Sequence, residues 1–451
     1  MTARLPAQSK HNTGDPLGQW AAAPAEWPER ALWDLAQYIN GRAFKPTDFS
    51  KVGLPVIKIT ELKYGLSDST ACFEGAFEAK HLLRKTDLLF AWSGNPETSL
   101  DAFWWRYGNA LLNQHIFRVI PHDRIDKTFL FYLLKFLRPT FIRTARDKAT
   151  SMGHVKVSDL KRLIGRIPSP PEQRSIAHIL GALDDKMELN RRMNETLEAM
   201  ARAIFRSWFL DFDPVRAKAD DQQPFGMDAE TASLFPNSFD DSALGKTPKH
   251  WNVVPLPQAF HVNPPRSLAK GHEATYLDMR NMPTQGHRPL GWTRRPFVSG
   301  SRFTNGDTLI ARITPCLENG KTAYVDFLRD GEIGWGSTEF IVLQPHEPLP
   351  PEYGYCLART DEFRDFAIQN MTGSSGRQRV PTDCFRGYPV VIPSEPVARR
   401  FGQLVRPLFA RVKANSEETA NLAAIRDALL PKLISGEIRV PLFHPAEMAS
   451  S

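Results

Sequence analysis

The residues best equipped for chemistry in this chain are basic and amide side chains carried on short glycine-bearing turns. In "MTGSSGRQRV", Gly373 and Gly376 frame Ser375, Arg377, Gln378 and Arg379. Arginine can grip guanine through two hydrogen bonds and glutamine can do the same with adenine, while serine and lysine suit phosphate oxygens. A second passage, "ATSMGHVKV", offers Ser151, His154 and Lys156 in a similar setting. Further basic clusters are Arg143 with Arg146 in "FIRTARDK" and Arg294 with Arg295 in "GWTRRPF". A single loop of this kind is as readily a solvated surface; two at corresponding places point to contact with DNA.

Other fragments imitate catalytic motifs and fail on their neighbours. "NPPR", Asn263–Arg266, is one residue away from the Asn-Pro-Pro-aromatic tetrapeptide that holds a target amino group and stacks a flipped base. Arg266 stands where the aromatic belongs, and no Phe-x-Gly-x-Gly cofactor loop lies upstream. Gly245-Lys246-Thr247 ends like a phosphate-binding loop, but the required earlier glycine is Asp240, and Pro248 interrupts the helix that must follow. Neither G-x-S-x-G nor H-E-x-x-H occurs. Cys72, Cys316, Cys356 and Cys384 lie far apart without paired histidines, which argues against a zinc site or a disulfide framework and for a reducing compartment. The expectation is a chain with no catalytic residues, no metal site and no cofactor of its own.

The elements that position the loops come in two copies. Ile167-Pro168-Ser169 returns as Ile392-Pro393-Ser394, Asp87 of "TDLLFAWSG" as Asp307 of "GDTLIARIT", and Gly108 and Phe117 as Gly331 and Phe340. The glycine loops align at Gly153/Gly376 and Val157/Val380. An internal repeat of about half the chain, in constant order, implies a head-to-tail duplication. Each copy opens with short β-rich runs such as "LPVIKIT", "DLLFAW", "DTLIARIT" and "EFIVLQP", with a helix in "DKTFLFYLLKFL", and closes with one long helix.

In those helices a set of residues, apolar but for one asparagine in each, recurs every seven positions: Ile176, Leu183, Asn190, Leu197 and Ile204 in the first, Phe401, Leu408, Asn415, Leu422 and Leu429 in the second. This is the seam of a coiled coil, and one asparagine at each middle heptad fixes register at some cost in stability. Two equivalent units are most simply related by a two-fold axis, which sets the helices antiparallel. The fold class is α+β, with an internal pseudo-two-fold duplication.

The net charge of +7 permits a polyanionic partner without requiring one. The first residues contain no apolar signal segment, and no apolar run approaches the roughly 18 residues of a membrane span, so a cytoplasmic protein is expected.

The passage "VKVSDLKRLIGRIPSPPEQRSIAHILGALDDKMELNRRMNETLEAMARAIFRSWF" resembles the specificity (S) subunits of Type I restriction–modification enzymes. The shared pattern is a polar loop, an Asp-Leu step, I-P-x-P-P-x-x-E-Q and a helix with I-x-x-I-L-x-x-L-D-x-K. "NGRAFKPTDF" followed by "LPVIKITEL" fits the start of the family's first recognition domain; the second copy departs at "EPVARRF", while "LLPKLISGEIRV" fits the family's ending. The resemblance implies an N-terminal extension (1–26), target-recognition domain 1 (27–168), conserved spacer helix 1 (169–214), a linker (215–250), target-recognition domain 2 (251–393), spacer helix 2 (394–440) and a tail (441–451). It also implies double-stranded DNA with a split site as ligand, two methyltransferase subunits carrying S-adenosylmethionine, and restriction/translocase subunits using ATP and Mg. The competing readings are a self-contained methyltransferase or nuclease with a coiled-coil arm, and an architectural protein that binds DNA without sequence preference.

Overall fold

The computed structural model describes residues 15, 17–146, 153–374 and 376–441. The chain divides into two compact units, Met1–Lys186 with Asn421–Ser451, and Met187–Ala420.

The first unit is organised by the run Leu88–Ala91, all four residues fully buried, as a strand covered on both faces must be. It lies in an antiparallel sheet of order Ala36–Asn40, Ile116–Pro121, Leu88–Ala91, Asp101–Trp104. Its side chains alternate between two cores, as a period of two requires. Leu88 and Phe90 join Phe117, Val119 and the helix Lys127–Phe136. Leu89 and Ala91 join Ile57, Leu83, Ala110 and Leu112 of a second sheet. That sheet has the order Cys72–Phe73, Leu54–Ile57, Ala110–Leu112, Leu82–Leu83, with Leu54–Ile57 parallel to Ala110–Leu112. Asp126 caps the helix by accepting the amides of Thr128 and Phe129 at 2.9 Å.

A long helix, Pro170–Phe209, opens on two prolines, which are tolerated in a first turn. Near its start Gln173, 1% exposed, accepts the Asp126 amide at 2.8 Å and donates to the carbonyls of Pro168 (2.9 Å) and Arg124 (3.2 Å). Leu433 and Ile434, at the end of the second long helix Glu395–Ile434, share a core with Trp27, Ile176, Ala177 and Leu180. In this unit Asp184 accepts from the Tyr132 hydroxyl (2.6 Å) and from Arg426 (2.8 Å), and Arg439 reaches Glu26 (2.7 Å) and Glu172.

The second unit is built around Thr308–Ala311, again wholly buried. Its antiparallel sheet has the order Phe260–Val262, Phe340–Pro345, Thr308–Ala311, Thr322–Tyr324. A second sheet runs Thr293–Pro296, Glu273–Leu277, Gly334–Gly336, Ser301–Phe303, with Glu273–Leu277 parallel to Gly334–Gly336. Ile310, Ile341 and Leu343 face the helix Pro351–Ala358 and the aromatics of the long helices, Phe205, Phe209, Phe401 and Phe409. Leu309, Phe340 and Val342 face the second sheet through Leu277 and Phe303.

Of the seven-residue positions, Ile176, Asn190, Phe401 and Asn415 are buried, whereas Leu183, Leu197, Ile204, Leu408, Leu422 and Leu429 are half-buried. Within the second unit Asn190 Nδ2 donates to Glu418 at 2.8 Å, and Asn415 Nδ2 donates to Asn194 at 2.9 Å. Ala201, Phe205 and Phe409, outside the heptad pattern, are also buried, because there both helices pack on the core of the second unit as well.

Candidate nucleic-acid interface

The second unit's glycine loop is a small hairpin. Thr372 and Arg379 exchange both backbone hydrogen bonds at 2.9 Å, and Gly373 (φ 121°) and Gly376 (φ 79°) take positive backbone angles that favour glycine. The returning strand pairs with the residues just past the central strand Thr308–Ala311: Arg379 bridges Ile313, the Thr314 amide donates to the Gln378 carbonyl at 3.0 Å, and the Val380 amide donates to the Arg312 carbonyl at 2.9 Å. Arg379 then turns its guanidinium onto Glu339, with Nε 2.9 and 3.0 Å from the two carboxylate oxygens and Nη2 at 2.8 Å. Arg377 is exposed, and among the described residues its side chain has no partner. Gln378 is half-buried; Ser375 lies outside the described residues.

In the first unit Gly153–His154 pairs with Ser93–Gly94, and the Val155 amide donates to Trp92 at 2.9 Å. His154 Nδ1 is 2.7 Å from Ser93 Oγ, and its ring lies 5.8 Å from Trp92. Trp92 stacks on Phe117 at 5.5 Å and donates to Asn40 at 3.0 Å. Burial, with His154 adding to it, holds His115 below the usual imidazole range. Lys156 is exposed, and its amide donates to Asp159 at the start of the helix Val157–Arg162. Ser151 lies outside the described residues.

These registers correct the alignment drawn from sequence. Val155 and Val380 occupy the same hydrogen-bonded position, each bonding the last residue before the bridge, so Arg379 corresponds to His154. The pairing Val157/Val380 is two residues out. Matching glycines pulled it off, whereas the offset of Ile167/Ile392 already holds from Val155 onward.

The remaining basic candidates are engaged to different degrees. Arg143 and Arg146 lie on the helix Arg138–Arg146 and are exposed; Arg146 pairs with Glu97. Arg294 and Arg295 lie on the exposed edge strand Thr293–Pro296. Arg294 donates to Glu332 (3.1 Å) and to the Glu273 carbonyl (2.8 Å), and Arg295 sits 4.6 Å over the Tyr276 ring. Burial pushes the Glu332 carboxyl up, but hydrogen bonds from Thr275 and the Arg329 amide, together with Arg294, hold it below the usual range.

"NPPR" serves the sheet. Asn263 Oδ1 accepts the Val342 amide at 2.9 Å, and Arg266 pairs with buried Asp307 at 2.8 Å. Gly245-Lys246-Thr247-Pro248 is one strand of a hairpin with Phe239–Ser242. Among the described residues no group of three or more His, Cys, Asp or Glu could hold a metal ion, and no helix is long and apolar enough to cross a membrane. Sequence reasoning missed Glu339, Trp92 and Arg312, whose importance arises from strand register; Arg312 Nε is buried without a hydrogen-bond partner among the described residues.

Comparison with known proteins joins these observations. Residues 24–199 match the Type I restriction modification DNA specificity domain. The HindI specificity subunit of Haemophilus influenzae, part of a Type I restriction enzyme, is 24% identical over 92% of this chain and 100% of its own length. These comparisons identify the specificity subunits of Type I restriction–modification systems as the proteins this chain resembles. Another such subunit, MjaIX of Methanocaldococcus jannaschii, is 25% identical over 73% of both chains. The fold also matches the crystal structure of the Type I S subunit from M. genitalium, with a TM-score of 0.53 at 17% identity, over 90% of this chain and 96% of that one.

Proposed function

We propose that this chain is a specificity subunit that recognises a bipartite, asymmetric site on double-stranded DNA and docks two methyltransferase subunits and the restriction/translocase subunits. On this reading residues 27–168 and 251–393 are the two target-recognition domains, and 169–214 and 394–440 are spacer helices paired as an antiparallel coiled coil. Residues 215–250 form a linker, with 1–26 and 441–451 as extensions. The observation that carries the reading is the shared strand order of the two units, each with a parallel pair in its second sheet and a glycine-loop strand paired with the residues that follow the buried central strand of its first. The helix pairing draws support from Asn190, Asn194 and Asn415 in the second unit and from Asp184 with Arg426 in the first.

A specificity subunit works without catalysis of its own; S-adenosylmethionine, ATP and Mg then belong to the partner subunits, and the assembly is cytoplasmic. DNA meets the glycine loops and the basic clusters around Arg143 and Arg294. The test is to express the chain with its methyltransferase subunits and map methylated sites across a genome. Two half-sites at one fixed spacing are expected, and exchanging residues 251–393 for those of a relative should change one half-site alone. A contiguous site, or methyl transfer by the isolated chain, would contradict the proposal.

Inserting four residues between Asn194 and Leu197 lengthens one helix by roughly 6 Å. At about 3.4 Å per base pair, the spacer should grow by at most about two base pairs, with both half-sites unchanged. An active variant that keeps the parental spacer would rule the helices out as a ruler.

A further inference from the structure

The strands that return from the two glycine loops are bonded in the same register yet carry different side chains, and what holds each side chain distinguishes support from reading. In both units the residue bridged just past the central strand, His154 or Arg379, is held from within its own unit. His154 has Ser93 Oγ at 2.7 Å and the Trp92 ring beside it. Arg379 has Glu339, contacted through both carboxylate oxygens. Glu339 is itself anchored: its carbonyl accepts the Arg312 amide at 2.9 Å, and its amide donates to Ser337 Oγ at 3.1 Å. Arg312 and Ile313 are consecutive, and Ile313 is the residue that Arg379 bridges. Acid and base are therefore pinned on one backbone frame.

A planar guanidinium held by both oxygens of a carboxylate has its charge matched and its donors committed in fixed directions. For DNA to take Arg379, it would have to strip Glu339 of its partner and bring phosphates toward the bared carboxylate. Arg377, two residues earlier at the turn of the hairpin, meets no such constraint. It is exposed, its side chain has no partner among the described residues, and its amide is tied to the Ser374 carbonyl at 3.0 Å, which fixes the turn that presents it.

We infer that Glu339 is a positioning residue that takes Arg379 out of DNA recognition and uses it to brace the loop, leaving Arg377 as the arginine through which this loop meets DNA. The inference rests on the proposed reading of DNA by this domain. It also gives Glu339 a second role: by neutralising Arg379 it keeps the loop from gripping any duplex indiscriminately.

The experiment uses the full chain assembled with its methyltransferase subunits, on the parental site and on an unrelated duplex. Binding is followed between about 50 and 200 mM salt, where each phosphate contact contributes roughly 0.9 to the slope of log affinity against log salt. Arg377→Ala should weaken binding to the parental site and flatten the slope by about one unit, and Arg379→Gln should leave the slope at its parental value. Glu339→Gln frees Arg379, so binding to the unrelated duplex should rise and the slope should steepen by about one unit. The double variant Glu339→Gln/Arg379→Gln should return to the parental slope, which separates a freed arginine from a damaged fold.

A slope lost equally in Arg379→Gln and Arg377→Ala, with Glu339→Gln unchanged, would overturn the inference. So would parental behaviour in every variant; if the parental site were still methylated then, the broader reading would stand and only this loop's role would fall. A parental assembly that binds both duplexes alike would remove the broader reading and this inference with it.

Discussion

Asp87 and Asp307 shape the same turn in the two units and end in different electrical surroundings. Asp87 accepts the Arg84 amide at 2.8 Å just before the strand Leu88–Ala91, and Asp307 accepts the Thr304 amide at 2.7 Å just before Thr308–Ala311. The cation for Asp87 is Arg118, from the adjoining strand, at 3.0 Å, with both side chains still touching solvent. The cation for Asp307 is Arg266, from the loop after Phe260–Val262, at 2.8 Å, and the Asp307 side chain keeps only 1% of its surface. Burial pushes the Asp307 carboxyl up to about 6, against the pull of the Thr304 amide and Arg266. The backbone thus dictates where the carboxylate sits, and each unit supplies the counter-charge from a different element. This also explains why "NPPR" departs from the catalytic tetrapeptide at its last residue: an arginine stands there because a buried acid lies within reach.

The difference can be broken most severely at Arg266. Removing one partner of a buried pair strands the other, so Arg266→Ala should cost about 3–5 kcal/mol in urea unfolding at pH 7.5, and Arg118→Ala clearly less. Below about pH 6 Asp307 takes up its proton, so part of the Arg266→Ala loss should be recovered there. Equal losses in the two variants at every pH would erase the contrast.

Asp307 also predicts a pH slope. Its folded pKa lies above the unfolded carboxylate value, so the stability it contributes is fully present below about pH 4 and is lost as pH rises through about 6. Asp307→Asn should remove that component, seen as a flatter dependence of the urea midpoint on pH between 4 and 6.

A further buried cluster sharpens the comparison. His287, 0% exposed, has Nδ1 2.7 Å from Glu198, Nε2 3.4 Å from Asp326, and a ring stacked on Phe409 at 4.5 Å. Burial works against the imidazolium, but Asp326 and Glu198 outweigh it and hold His287 above its usual range. Its stabilisation is therefore complete below about pH 6.5 and lost as pH rises through the higher folded value. His287→Gln should cost about 1.5–3 kcal/mol at pH 6, the range for hydrogen bonds to charged groups, and less at pH 9. Hydrogen exchange resolved along the chain should place the change in residues 187–420; a loss independent of pH would contradict the assignment. The smallest effect is expected at Gly376: an alanine there meets open space but must hold φ 79°, at a cost of about 1 kcal/mol.

Much of the frame was legible because it is written in local pattern. "DLLFAW", "DTLIARIT" and "EFIVLQP" are apolar runs that became central strands, and "DKTFLFYLLKFL" became the helix Lys127–Phe136. The loop chemistry was legible only by residue type. Arg146, Arg294 and Arg379 each pair with an acid distant in sequence, and no local pattern announces Glu97, Glu332 or Glu339 as the partner. The equivalence of His154 and Arg379 was hidden for a related reason: it is set by which backbone groups bond between strands, whereas sequence comparison follows identical letters.

Gln173 carries a consequence for how such a protein can be recombined. Its one amide group joins the turn before a domain helix, the proline segment and the first turn of the long helix through three backbone groups. A crossover between Arg124 and Gln173 would bring together backbones that never evolved to share that side chain, and would leave buried donors and acceptors unmet. Junctions outside this interval keep the joint whole. The corresponding place in the second unit, at the offset of Ile167 and Ile392, is Ala398, fully buried and without a side-chain amide to share. The second domain should therefore be the easier of the two to transplant.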